Sequence, residues 1–352
     1  LCRINSSCEN SLLLSACCLF AGKHSLRHHN HNKKEGQVEI MSGEDGEAAD
    51  VCASCGIAEI DEIKLNTCAC KSVRYCSVEC QKKHWPQHKR ACKKRMAELR
   101  DELLFKQPES SNLGDCPICC LPLPLDPQKS VLNACCSKRI CDGCLRANTI
   151  RQLGLVIPQT PSCTFCREPV PKTEEEANAM LMKRIEKNDP EAMQQMGGMR
   201  HNEGDYKSAF EYFTKAAELS DANAHYGLSI MYRLGQGVEK DEKKELFHLE
   251  EAAIGGHPSA RYSLGLHEGG NGRIERAIKH YSIAACQGQD NAIKELKGLY
   301  AEGAISKENF AASLRAHQAA VDATKSPHRE AAKEIIEKSS CRRNQESAEG
   351  GS

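Results

Sequence analysis

Cysteine crowding dominates this chain: 16 of its 22 cysteines fall between Cys52 and Cys166, and only Cys286 and Cys341 lie beyond. A secreted disulfide scaffold is usually shorter than 352 residues and has no cysteine-poor, helix-patterned second half. Cysteines in closely spaced pairs, in a chain of this kind, read as metal sites instead. That reading places the mature protein in a reducing compartment, cytoplasmic or nuclear.

The remaining composition narrows the partners. Lys and Arg number 48 and so do Asp and Glu, so no global field draws the chain toward nucleic acid or an anionic membrane. No apolar run approaches the roughly 18 residues a membrane span requires. Ser11 to Gly22 has the length of a signal-peptide apolar region. The chain starts at Leu1, however, basic residues before that run are sparse, and His24, His28, His29 and His31 follow it. We therefore expect residues 1–40 to be a leader or gene-model artefact and Met41 to be the start. Residues 41–50 are acidic and too poor in apolar groups to fold, so 1–51 reads as leader plus disordered segment, and 326–352 as a polar tail.

The cysteines form two blocks, 52–92 and 116–169, joined by a helical linker over 93–115. Met96, Leu99, Leu103 and Leu104 have helical spacing, and Pro108, Ser110, Ser111 and Gly114 predict a short flexible joint after them. Beyond Thr173 the pattern is helical and repetitive, over 173–325. Thr173 and Glu176 make a capping box for a helix to about Lys187, and Asp189-Pro190 opens the next. Ala192, Ala224, Ala260 and Ala292 recur at intervals of 32, 36 and 32 residues, followed four positions later by Met196, Leu228, Leu264 and Leu296. Ala216-Ala217, Ala252-Ala253, Ala284-Ala285 and Ala319-Ala320 keep step with them. Small residues at fixed positions let paired helices approach closely. A single helical hairpin of this length cannot bury its apolar face alone, so the copies must stack. Tyr206, Ala209, Phe210 and Phe213 form one such apolar stripe, read as core. Ala224-x3-Leu228, Tyr232, Gly235-x-Gly237-Val238, Asp241, Lys244 and Ala252-Ala253-x2-Gly256 resemble the Sel-one-like subfamily of tetratricopeptide-like repeats over about 189–320. The resemblance implies an α-solenoid that binds other proteins. Its third copy lacks the Gly-x-Gly-Val loop, and the fourth, around Tyr300 and Gly303, is degenerate.

In the first block, Cys52-x2-Cys55, Cys68-x-Cys70, Cys76-x3-Cys80 and His88-x3-Cys92 supply eight thiolate or imidazole ligands, enough for two tetrahedral zinc sites. So short a segment has little to form a core, and structural zinc contributes on the order of 10 kcal/mol or more. The block resembles the MYND zinc finger, through Tyr75-Cys76-x3-Cys80-Gln81, Trp85, His88 and Cys92. That resemblance implies interleaved sites, Cys52, Cys55, Cys76 and Cys80 on one zinc and Cys68, Cys70, His88 and Cys92 on the other. It also implies binding of short proline-containing peptides. One departure is the single residue between Cys68 and Cys70, where the family usually has two. His84 reads either as a solvated helix residue or as a spare ligand. Lys82, Lys83, Lys89, Arg90, Lys93, Lys94 and Arg95 make the helix basic, but only Trp85 accompanies them, against a nucleic-acid surface. No stretch resembles the SET domain that often accompanies this finger.

In the second block, Cys116-Pro117-Ile118-Cys119, Cys141-x2-Cys144 and Cys163-x2-Cys166 are well-formed pairs, with Cys135-Cys136 between the first two. The order resembles a RING finger, which implies Cys116, Cys119, Cys141 and Cys144 on one zinc and Cys136, Cys163 and Cys166 on another. Lys138 stands where the family places histidine, and a protonated ammonium cannot donate to zinc. Either Cys135 completes the second site or that site is weak or empty, so this block holds one or two zincs. In ubiquitin ligases of this family an apolar residue in the first pair and an arginine after the last cysteine recruit the conjugating enzyme; Ile118 and Arg167 occupy those places. Both also suit plain packing and plain surface.

The fold expected is multidomain: two small zinc-stabilised modules, MYND and RING-like, then an all-α helical-repeat solenoid. The function expected is a zinc-binding protein–protein interaction adaptor. A ubiquitin ligase is the alternative, and a nucleic-acid-associated regulator using the basic helix a weaker one. No catalytic nucleophile is evident.

Overall fold

The computed structural model describes residues 50–61, 63–153 and 162–331. The expected leader and most of the acidic segment, and the tail from residue 332, lie outside the described residues. The chain divides into two compact units on either side of residue 106.

The front unit is built around a short antiparallel pair, β1 (Asn66–Thr67) and β2 (Arg74–Tyr75), with Asn66 opposite Tyr75. One long helix follows, α1 (Val78–Leu104). The hydroxyl of Ser77 caps it by accepting from the N–H of Cys80 at 3.2 Å. The finger helix and the linker helix expected from the sequence are thus a single continuous element, which ends at Leu104, before the Pro108–Gly114 stretch. The buried cluster of this unit is Cys52, Leu65, Cys68, Cys70, Tyr75 and Cys92, four of the six being cysteines. Arg74 ties its edge together through ion pairs with Asp50 and Glu59.

The second unit starts with the RING-like module. The hairpin of β3 (Ser130–Asn133) and β4 (Lys138–Cys141) pairs Ser130 with Cys141, and α2 (Asp142–Leu153) leaves directly from it. Cys116, Leu123, Ile140, Cys141 and Cys144 form its buried cluster.

The helices that follow are α3 (Glu174–Ile185), α4 (Pro190–Asn202), α5 (Tyr206–Glu218), α6 (Ala222–Leu234), α7 (Glu242–Ile254), α8 (Pro258–Gly270), α9 (Ile274–Cys286), α10 (Asp290–Ala301) and α11 (Lys307–Ala323). They pack as successive hairpins, α4 on α5, α6 on α7 and α8 on α9. The phased alanines Ala192, Ala224, Ala260 and Ala292 are fully buried, and Met196, Leu228, Leu264 and Leu296 are buried with them. Glycine extends the same logic: Gly197 and Gly265 lie under the rings of Phe213 and Tyr281 in the paired helices, where a β-carbon would collide with the ring. Tyr206, Ala209, Phe210 and Phe213 all join one core cluster. The first helix of each copy is capped by the residue before it, Asp189, Asp221 or His257, which accepts from the N–H of Ala192, Ala224 or Ala260. Gln289, at the fourth equivalent place, makes no side-chain cap, in keeping with the degeneracy of that copy.

Within this unit the RING-like module is fastened to the repeats. Arg139 on β4 pairs with Glu191 on α4 at 2.7 Å. The segment expected to be a flexible joint is instead pinned: the Asn112 N–H donates to the Gly256 carbonyl at 3.1 Å and its side-chain amide to Asn223 at 2.7 Å.

Candidate metal centres

Three of the cysteine pairs fold identically. The N–H of the first cysteine donates to the carbonyl five residues on, Cys52 to Ile57 at 2.8 Å, Cys116 to Leu121 at 2.9 Å and Cys163 to Glu168 at 2.8 Å. The residue four positions on donates back, Gly56, Cys120 and Arg167 to Cys52, Cys116 and Cys163 at 2.8, 2.8 and 3.0 Å. That residue is left-handed in each case, with φ of 77°, 55° and 62°. The turn aims the next N–H groups at the first sulfur. Burial pushes the Cys52 thiol up, but the N–H groups of Cys76, Cys55 and Ser54 outweigh it and hold the group down to about 6. In the same way burial is outweighed at Cys116, held to about 7 by the N–H groups of Cys141, Cys119 and Ile118, and at Cys163, lowered by those of Cys166 and Phe165. Cys76 goes the other way. Hydrogen bonds with Cys55, Cys80 and Cys52 push Cys76 up to about 12.

The donors converge into four tetrads: Cys52, Cys55, Cys76 and Cys80; Cys68, Cys70, His88 and Cys92; Cys116, Cys119, Cys141 and Cys144; and Cys135, Cys136, Cys163 and Cys166. Within each, all donor atoms lie within 4.8 Å of one another. Sulfur separations are 3.5 Å for Cys55–Cys76, 3.6 Å for Cys76–Cys80, 3.7 Å for Cys68–Cys92, 3.9 Å for Cys119–Cys141 and 3.7 Å for Cys136–Cys163. A disulfide would need about 2.05 Å. A zinc tetrahedron with Zn–S of about 2.3 Å has edges of about 3.8 Å, and one with an imidazole about 3.5 Å between nitrogen and sulfur. Nε2 of His88 lies 3.5 Å from the Cys68 sulfur and 3.2 Å from that of Cys70. Donor chemistry and spacing therefore fit zinc, and the chain binds zinc.

The elements explain who meets whom. On α1, His88 and Cys92 are one turn apart and share a face, facing the β1–β2 turn that carries Cys68 and Cys70. The single residue between Cys68 and Cys70 does not prevent this: Lys71 takes φ of 59°, and the Ser72 hydroxyl donates to the Cys70 sulfur at 3.1 Å. His84 is in none of the tetrads. Its Nδ1 sits 3.0 Å from the Tyr75 hydroxyl and its ring stacks on that of His88 at 5.7 Å, so it steadies a member of the tetrad. Cys135 and Cys136 occupy the tight loop between β3 and β4, where Ser137 has φ of 52°, and Cys135 lies 3.2 Å from Cys166. Lys138 starts β4 and stays exposed, outside the tetrad to which its sequence position points. Ile118 and Arg167 are exposed on the first and last of these turns. Part of the basic charge on α1 is answered on the helix itself, Arg95 pairing with Glu98 and Glu102 at 3.3 and 3.0 Å.

Comparison with known proteins places these features. The family model of the MYND finger matches residues 52–92, and that of the Sel1 repeat matches 190–221, 222–257 and 258–289. The chain carries a MYND finger and Sel1 repeats. Both are protein-interaction modules. The chain is 43% identical over 53 residues to the zinc finger MYND domain-containing protein 10 homolog of Drosophila melanogaster. It is 35% identical over 69 residues to the SET domain and MYND-type zinc finger protein 6 of Schizosaccharomyces pombe. These matches cover 15% and 19% of this chain but only 11% and 14% of the two relatives. Among solved structures, a Sel1 repeat protein from Oxalobacter formigenes is similar at 30% identity over 44% of this chain and 65% of its own, with a TM-score of 0.36. The MYND finger contains the first two tetrads whole. The other two, in the RING-like module, rest on the cysteine geometry alone.

Proposed function

We propose that this chain is an adaptor that holds four zinc ions, two in the MYND finger and two in the RING-like module, and uses the metal to shape surfaces that bring other proteins to the Sel1 repeats. The ligands are the sixteen cysteine and histidine side chains of the four tetrads, with Cys135 as the fourth ligand of the last. The observation that carries this is the convergence of sixteen donors into four tetrads, each with its donor atoms within 4.8 Å of one another, without a disulfide among the described cysteines. Metal here is structural: it closes each tetrad with protein donors and leaves no open position for a substrate.

On this reading the MYND finger takes short proline-containing segments, for which Trp85 on α1 offers an exposed aromatic surface, 39% accessible. The free thiols suit a reducing compartment, cytoplasmic or nuclear. Native mass spectrometry of the reduced chain should count four zincs. Three would leave the Cys135 tetrad unfilled, and two would remove the RING-like sites.

The ligase reading rests on two exposed side chains, Ile118 and Arg167. Incubation with activating enzyme, a panel of conjugating enzymes and ubiquitin should give no chains if the module is purely an adaptor. Chain formation lost in Ile118→Ala would replace the adaptor reading with the ligase.

A further inference from the structure

We infer that Arg329 latches the C-terminal end of the solenoid onto the first metal centre of the RING-like module, and that the latch holds only while that centre carries its metal. The inference rests on the zinc assignment to Cys116, Cys119, Cys141 and Cys144. Arg329 lies six residues past the end of α11, more than 200 positions in sequence from Cys119, Leu121 and Pro122. One arm of its guanidinium, Nη1, donates to the Pro122 carbonyl and to the Thr324 carbonyl, each at 2.7 Å. The other, Nη2, donates to the Leu121 carbonyl at 3.1 Å and to the Cys119 sulfur at 3.3 Å. One side chain thus bridges the end of the solenoid, the turn that presents the Cys116–Cys119 pair, and a member of the tetrad.

The backbone closes the same contact. Gly143 lies within the Cys141-x2-Cys144 pair, outside the left-handed region, so its backbone conformation does not demand glycine. The approach of the latch does. A β-carbon at 143 would lie 2.8 Å from the Cα and N of Arg329 and 2.9 Å from the carbonyl carbon of His328. Two independent features, a forked cation and a missing side chain, therefore serve one contact.

Metal enters through charge and shape. Zinc held by four thiolates carries a net charge of about −2. A guanidinium at 3.3 Å from one of those sulfurs, itself partly buried, offsets part of that charge and forms a charge-assisted hydrogen bond. Emptying the centre removes the coordination that fixes the Cys116–Leu121 turn, which carries the Leu121 carbonyl and leads into that of Pro122. The coupling is reciprocal: a latch that favours the filled centre must also slow loss of its metal.

The test uses the full, reduced, zinc-loaded chain and its variants Arg329→Gln, Arg329→Lys and Gly143→Ala. Limited trypsin cleavage at the Lys325–Ser326 bond is timed, and zinc is counted by native mass spectrometry in the same samples. Arg329→Gln and Gly143→Ala should speed that cleavage at least tenfold with four zincs retained. Arg329→Lys should fall between, because one ammonium cannot reach carbonyls and sulfur together. Stripping zinc from the wild type should raise cleavage to the variant level, and Arg329→Gln should lose one zinc to a chelator several-fold faster than wild type. Unchanged cleavage in Arg329→Gln and Gly143→Ala with four zincs bound would overturn the latch and leave the zinc assignment standing. A wild type that carries no zinc on this tetrad yet resists cleavage would overturn both.

Discussion

Replacing His257 with asparagine should leave the Sel1 repeats intact at neutral pH and remove part of their sensitivity to acid. His257 is the N-cap of α8, and its Nδ1 accepts from the Ala260 N–H at 3.1 Å while its ring stacks on Tyr226. Burial holds its pKa down to about 4 from an ordinary 6.5, with a backbone hydrogen bond opposing in part. Between those values the unfolded chain binds the proton and the folded chain does not, so stability is complete above about 6.5 and falls as the pH drops toward 4. At pH 5.0 the linkage amounts to about 2 kcal/mol at most, and because the residue is half-buried the expectation is between about 1 and 2 kcal/mol. An asparagine side chain accepts the same N–H and carries no proton to gain. Urea unfolding of both full-length proteins, followed by the helical circular dichroism signal at pH 7.5 and 5.0, separates this from zinc loss, which both share. Between the two pH values, wild type should lose about 1–2 kcal/mol more stability than the His257→Asn variant. Equal losses would refute the assignment of the buried, neutral cap.

Other substitutions probe other joints. Gly265→Ala should cost about 1–3 kcal/mol in urea unfolding, because the Tyr281 ring lies where the new β-carbon must go; a neutral result would mean the paired helices are not that close. Cys120→Gly should raise thermal stability by roughly 1 kcal/mol, since φ of 55° suits glycine and the thiol belongs to none of the tetrads. Asn112→Ala should cost about 1 kcal/mol by removing the side-chain bond to Asn223, and should speed proteolysis of the 107–114 segment; unaltered proteolysis would return that segment to the flexible joint its composition suggests.

What could be read in advance depended on how local the cause was. The alanines at 192, 224, 260 and 292 were legible because close helix packing excludes larger side chains at each repeat, which prints a period on the sequence. The metal pairs were legible because one turn must deliver two donors. The matching turn around them was not, since of the three left-handed positions after the second cysteine only Gly56 is a glycine, while Cys120 and Arg167 accept the strain. The helix runs unbroken from Val78 to Leu104 with Pro86 inside it, so the boundary that the metal ligands suggest after Cys92 is no break in the backbone. Asn112 reads as loop material, and its bonds to Gly256 and Asn223 depend on residues more than 100 positions away. Arg329 is the extreme case: nothing near it in sequence hints that it reaches Cys119.

The proposed function requires that metal, rather than apolar burial, hold the MYND finger together. Hydrogen exchange of the reduced full-length chain, with zinc and after exhaustive chelation, measures this directly. The amides of Cys52, Cys68 and Gly56, protected in the zinc-bound finger by bonds to Ile57, Val73 and Cys52, should exchange freely once zinc is gone, while α4 to α9 keep their protection. Undiminished protection of those finger amides in the metal-free, reduced protein would contradict a metal-built finger.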